Sequence, residues 1–296
     1  MNLQDSVELF VQFKMAEMIK ERTIRSYTDH IQALINYLPK SVDVVRASDI
    51  AGFLAKERKR GLSPATIADR YRALNIFFNW RANCEEIGRP VSPMAEMKPP
   101  KVPTIEPHRA ALADVLRLIR AIPDNNWIDA RDKAIVQLMH DTGLRLSETA
   151  SLLVKDVDLE ERIIFVRYGK GDKSRRVPFS KKTVKLVTAY LSCRPKSASH
   201  AKHLWFSAKN EDGVVRGILS KYGITQILKR RCVRHRIPHI NPHSIRHLFG
   251  MKALNDGIRI EVVSVMMGHS SIDFTRKVYA PMLTQTTQKE YDLNWK

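Results

Sequence analysis

The sequence holds only three cysteines, Cys84, Cys193 and Cys232; none belongs to a CxxC pair, and none has a histidine close enough in sequence to complete a zinc-ligand pattern. That excludes a disulfide framework and a zinc site of the usual spacing, and leaves reduced structural thiols. No apolar run approaches the roughly 20 residues needed to span a bilayer. The opening stretch MNLQDSVELFVQFKMAEMIK sets acidic residues among its apolar ones, as an amphipathic helix does and a secretion signal does not. A cytoplasmic protein without membrane contact is expected. Acidic charge is also in short supply, with 31 Asp and Glu against 50 Lys and Arg and a formal net charge of +19. Such an excess repels itself unless it meets an anionic partner, and nucleic acid is the leading one. Its distribution is uneven: 16 basic against 13 acidic residues through Pro107, then 34 against 18. The second part carries the field.

A chain of 296 residues is long enough for two domains, each with its own core. From Leu3 to about Cys84 it reads as several amphipathic helices. In ATIADRYRALNIFFNWRA, for example, Ile67, Tyr71, Leu74, Phe77 and Phe78 recur at helical spacing, behind Ser63 and Pro64 as N-cap and first-turn signals. Between Gly88 and His108 stand Pro90, Pro93, Pro99, Pro100, Pro103 and Pro107, a density that excludes regular helix. We therefore expect a helical domain over 1–90, a proline-rich linker over 91–107 and a second domain over 108–296. That domain begins with helices in ALADVLRLIRAI and ARDKAIVQLMHDTG, the latter closed by Gly143. RIIFVRY, a GKGDKS turn and RRVPF then predict a β-hairpin, and helices resume from Ser180. No internal repeat or low-complexity tract is present.

Three short segments carry chemistry. TGLRLSE places Arg145 and Glu148 three apart, on one face of a helix beginning after Gly143, where a carboxylate can orient a guanidinium. Alone, an ordinary surface ion pair is the favoured reading. HSIRH places His243 and Arg246 three apart behind Asn241 and Pro242 as helix-start signals. MMGHSSIDFTRKVYAP sets His269 after a glycine and Tyr279 ten residues further on. A tyrosine beside a valine is ordinarily a core or interface residue.

Taken in order, Arg145, a lysine-bearing hairpin, His243 with Arg246, His269 and Tyr279 resemble the tyrosine recombinase (phage integrase) family, its short Xer-like members in particular. The resemblance extends over nearly the whole chain. RGLSPATI followed by a helix and a proline-bearing connector is similar to the family's core-binding domain. It implies a mainly α, two-domain DNA clamp, with a helical core-binding (SAM-like) domain and a mainly helical catalytic domain bearing a small antiparallel β-sheet. Residue by residue, Arg145 and Arg246 match the phosphate-binding arginines, His243 the histidine of HxxR, His269 the second histidine and Tyr279 the nucleophile. Glu148 matches the acidic residue behind the first arginine, and Lys170 in YGKG matches the hairpin lysine, with Lys173 in the same turn as the alternative. Tyr291 has no such motif around it.

These residue types suit strand breakage. Two arginines offer planar, permanent charge to the non-bridging oxygens of a phosphodiester. A phenol with an unperturbed pKa near 10 needs a base such as His243 or a positive field to lose its proton, and an alkoxide leaving group needs an acid such as Lys170. The phosphotyrosine ester conserves the bond energy, so no nucleotide is required. GKGDKS is no phosphate loop, because Ile164 stands where its first glycine belongs, and no carboxylate cluster suits two metals. No cofactor is expected. The resemblance further implies double-stranded DNA with inverted half-sites as partner, a tetramer on DNA joined by exchange of the tail after Pro281, and room for an accessory or partner recombinase. Two alternatives stay open: nicking and closing of the type IB topoisomerase kind, and a non-catalytic DNA-binding regulator, since LSPATIADRYRALNIFFNW also reads as a helix-turn-helix fragment.

Overall fold

Four helices form where apolar residues recur every three or four positions: α1 (Leu3–Ala16), α2 (Glu21–Ile35), α3 (Ala47–Lys59) and α4 (Pro64–Asn83). The computed structural model describes residues 2–38, 44–88, 90–103, 110–167, 174–198, 201–208, 214–269, 271–276 and 278–279. Asn2 caps α1 by accepting from the amide of Asp5 at 2.8 Å, and Ser63 caps α4, with Pro64 in its first turn. The helices close over Phe10, Ile31, Leu34, Ile50, Leu74 and Phe77, all fully buried. Phe10 and Phe77 meet edge-on with ring centroids 5.4 Å apart. Residues 90–103 have neither helix nor strand. They lie against this first core through buried Met94 and through the Tyr71 hydroxyl, which donates to the Met97 carbonyl at 2.6 Å.

The chain divides into two units, Met1–Glu106 and Pro107–Lys296. The second is built on α6 (Trp127–Thr142), against which α5 (Leu112–Ala121), α8 (Lys181–Cys193), α9 (Lys221–Arg234) and α10 (Pro242–Asn255) pack. Ile135, Val136, Leu138 and Met139 of α6 are fully buried. The helix also carries ions inward: Asp132 takes Arg131 at 2.6 Å and Arg231 at 2.8 Å, and Arg231 reaches Asp129 at 2.6 Å. α6 ends at Gly143, whose φ is +60°. A Cβ there would lie 2.2 Å from Cδ1 of Phe249, so both conformation and space require glycine.

After α7 (Leu146–Ser151), strands β1 (Val157–Asp158), β2 (Ile163–Val166) and β3 (Arg175–Pro178) form an antiparallel sheet in sequence order, with Ile164 opposite Val177. The hairpin expected here is β2–β3. Helices do resume after Ser180, and a second antiparallel pair, β4 (Phe206–Ala208) and β5 (Val215–Ile218), stands among them. α11 (Ile260–Met267) follows α10, and residues 272–276 are again helical. The fold is mainly helical with small antiparallel sheets, and no described helix is long and apolar enough to cross a membrane.

Candidate active site

The C-terminus of α11 organises the site. A helix end leaves carbonyls without intrahelical partners and carries partial negative charge. Here three arginines from distant segments satisfy them. Nε of Arg175 donates to the Met266 carbonyl at 2.8 Å, Nη2 of Arg246 to that of Met267 at 2.6 Å, and Nη2 of Arg145 to that of Gly268. Gly268 stops α11 in the left-handed region with φ +64°, and a Cβ on it would come 2.8 Å from Cζ of Arg175. The glycine before His269 thus serves both the cap and the close approach of the arginines.

Arg145 precedes α7 as its N-cap, so it does not share a helix face with Glu148 as the spacing predicts. Instead Glu148, in the first turn, reaches back: its Oε2 accepts from the Arg145 amide and its Oε1 from Arg145 Nη1, both at 2.8 Å. From β3, Arg175 grips the same carboxylate with Nη1 to Oε1 at 2.9 Å and Nη2 to Oε2 at 2.7 Å. Burial pushes the Glu148 carboxyl up, but the bonds and charge of Arg175 and the bonds from Arg145 outweigh it and hold it down at about 2. Among the described residues Arg246 on α10 has no carboxylate of its own. Its Nη1 donates to the Gly143 carbonyl at 2.6 Å, and burial together with the charge of Arg145 brings its pKa down to about 10.

A cavity of about 490 Å³ opens in front of these groups, lined by Arg145, His243, Arg246 and His269 together with Asn241 and Phe274. His269 Nδ1 lies 2.6 Å from Oγ1 of buried Thr275; burial first, then Arg246 and Arg145, keeps the imidazole down at about 4. Burial and then Arg246 lower His243 as well. Nε2 of His243 lies 2.9 Å from Nε2 of His247, whose ring meets that of Tyr279 edge-on at 6.0 Å. Tyr279 is buried behind this wall, over Gly250, with its hydroxyl 3.7 Å from the Met267 sulfur.

Of the residues expected from sequence, Arg145, His243, Arg246 and His269 come together at this cavity, Glu148 holds Arg145 from behind it, and Tyr279 stands beside them with its hydroxyl turned to Met267. Lys170, Lys173 and Tyr291 lie outside the described residues. The sequence reading passed over Arg175, His247 and Thr275. For Arg175 a signal existed: Arg175, Val177 and Phe179 alternate with Arg176 and Pro178, and the first three face inward.

A mainly helical chain that gathers arginines and neutral histidines at one cavity, with a tyrosine buried behind it, has the equipment of an enzyme acting on a phosphodiester. The model of the phage integrase family matches residues 111–285, and that of the family's N-terminal SAM-like domain matches residues 7–85. Tyrosine recombinase XerC of Shigella dysenteriae serotype 1 is 28% identical over 299 residues, covering 98% of this chain and 96% of the relative. XerC of Escherichia coli O157:H7 is 27% identical over the same coverage. Among solved structures, XerA recombinase aligns with a TM-score of 0.52 at 25% identity, covering 96% of this chain and 99% of that one. The Tn1549 transposon integrase in complex with transposon right end DNA aligns with a TM-score of 0.75 at 20% identity, covering both chains fully (100% each). The chain belongs to the phage integrase family: it is a tyrosine recombinase, a DNA-binding enzyme that breaks and rejoins strands in site-specific recombination.

Proposed function

We propose that Arg145 and Arg246 seat the scissile phosphate, that Tyr279 attacks it, and that Lys170 protonates the oxygen that leaves. The observation carrying this reading is a charge imbalance at the cavity. Arg145 and Arg246 line it, Arg145 and Arg175 share the carboxylate of Glu148 behind it, and among the described residues Arg246 is bonded to carbonyls and to no carboxylate. An anion neutralises the surplus, and each guanidinium, with five N–H donors, keeps some beyond those engaged by the protein.

The phenol leaves the Met267 sulfur and turns towards the cavity. Its proton passes to His243, which the lowered pKa keeps neutral at physiological pH. The phenolic oxygen bonds to phosphorus as the bond to the 5′-oxygen breaks, and that oxygen takes a proton from Lys170, or from Lys173 if it is the better placed. With the Thr275 hydroxyl donating to Nδ1 of His269, the Nε2–H of His269 is left to donate to a non-bridging oxygen. A 5′-hydroxyl from a second strand then reverses the sequence on the 3′-phosphotyrosine, which makes strand exchange without nucleotide hydrolysis. We extend the proposal to assembly: four copies, or copies shared with a partner recombinase, act on two sites of inverted half-sites in the cytoplasm and exchange the tail beyond Pro281. Both units bind the DNA, joined by the segment 91–107.

The test first maps the cleavage site by crosslinking the protein to DNA flanking its own gene. A nicked suicide duplex carrying that site then traps the covalent adduct. Tyr279→Phe is expected to abolish the adduct and Tyr291→Phe to leave it at the native level; the reverse pattern would move the nucleophile to Tyr291.

A further inference from the structure

Arg175 is buried on the inward face of β3, 27 residues beyond Glu148 in sequence, yet both of its terminal nitrogens are committed to that carboxylate. Its Nε holds the Met266 carbonyl, one residue before the carbonyl that anchors Arg246 and two before the one that anchors Arg145. A planar fork with a third donor at Nε joins three elements in one geometry, which a lysine cannot reproduce. Arg175 is not among the residues lining the 490 Å³ cavity, so it has no direct path to a phosphate there.

We propose that Arg175 is a positioning residue for the phosphate clamp: by occupying both oxygens of Glu148, it fixes where Arg145 presents its guanidinium. The inference rests on the reading of Arg145 as a phosphate ligand. Without Arg175, Glu148 keeps the Arg145 bonds alone, its carboxylate tilts freely, and Arg145 follows it. Displacement of a reacting or stabilising group by about 1 Å is enough to cost on the order of 10²-fold in rate. Among the described residues the charged groups around Glu148 are Arg145 at the start of α7, Arg175 on β3 and Arg246 on α10, with Asp156 and Arg167 across a small cavity; α11 contributes carbonyls. Arg175 supplies the largest share of the stabilisation that keeps Glu148 ionised, so its loss lets that carboxyl protonate at higher pH.

Single-turnover adduct formation on the nicked suicide duplex, with half-site binding measured in parallel, tests this. Arg175→Met is expected to slow adduct formation about 10²-fold while the binding midpoint stays within about threefold. Arg175→Lys, which keeps the charge but not the fork, recovers part of the loss, and it carries the test if the methionine variant fails to fold. Because Arg175 acts through Glu148, the Arg175→Met/Glu148→Gln double variant is no slower than Glu148→Gln alone, a non-additivity that independent sites do not show. Arg175→Met also gains an acid-side fall in rate at higher pH than the native enzyme, and the fall disappears in the double variant; mere loosening of the fold gives no such limb. A native rate in Arg175→Met, losses that multiply in the double variant, or a rate loss that only tracks binding each overturn the proposal. Arg145→Ala separates the two levels: a native rate there removes the clamp itself, whereas a dead Arg145→Ala beside a native Arg175→Met removes only the role of Arg175.

Discussion

In the first unit the buried polar side chains among the described residues are Ser6 and Glu57, and the core belongs to Phe10, Phe53, Phe77 and Phe78. In the second, Arg131, Arg175, Arg231 and Arg246 all go inside. Taking an ion out of water costs several kcal/mol, so an interior arginine needs a reason. Two kinds of reason are visible. Arg131 and Arg231 are matched by Asp129 and Asp132, and that network ties α6 to α9. Around Glu148 the arginines outnumber the carboxylate, and among the described residues Arg246 is held by carbonyls alone. The first network is balanced within the protein; the second keeps a surplus of positive charge, which the proposed function assigns to a phosphate.

Removing one arginine from each network distinguishes the two. Arg246→Ala is expected to lower adduct formation by roughly 10³-fold at saturating protein, the cost of deleting a donor to the transition-state oxygens. Arg231→Ala leaves Asp129 and Asp132 short of a partner and costs about 3–5 kcal/mol of stability, with adduct formation per folded molecule unchanged. Urea unfolding and single-turnover cleavage of both variants check it, and exchanged outcomes would dissolve the distinction.

A second experiment separates the charges proposed to hold the phosphate from the one proposed to give up a proton. Lys170→Ala should lose about 10²- to 10⁴-fold on ordinary DNA and regain most of it on DNA with a 5′-bridging sulfur, which departs without an acid. Arg145→Ala is not rescued by the sulfur. Selective rescue of Lys173→Ala instead would assign the proton to Lys173.

The smallest expected effect is on pH-dependent stability. The folded pKa of Glu148, about 2, lies below its unfolded value near 4.3, so its contribution is fully present above pH 4.5 and is lost as pH falls towards 2. The full contribution is about 3 kcal/mol. His269 acts in a higher window. Held at about 4 against an unfolded 6.5, it takes up a proton more readily when unfolded, and stability falls as pH drops from 6.5 to 4. Urea unfolding across pH 2 to 7 should show Glu148→Gln flattening the lower window and His269→Gln the upper one. A single shared window would mean that the two groups titrate together.

Periodicity and punctuation made much of this legible in the sequence. The spacing of Ile67, Tyr71, Leu74, Phe77 and Phe78 belongs to α4, Gly143 stops α6, and the alternation on either side of GKGDKS belongs to β2 and β3. β4 and β5 escaped because they have three and four residues, with Gly217 and a register shift breaking their alternation. The ordered motifs indicated which residues gather, but not how they are held. That Arg145 caps a helix, that Arg175 shares Glu148, and that the Tyr279 hydroxyl rests over Gly250 follow from long-range packing. Local pattern carries no trace of such contacts, apart from an arginine in phase with Val177 and Phe179 on β3.

The anchors of the three arginines include the oxygens of Gly143, Met266, Met267 and Gly268, all from the main chain. Every amino acid carries that oxygen, so replacing the side chain at Met266 or Met267 leaves the anchor in place as long as α11 ends where it does. The inheritance of the site is therefore tied to the length and ending of a helix more than to its letters. Such a site can drift through many sequences and still aim its guanidinium groups at the same point.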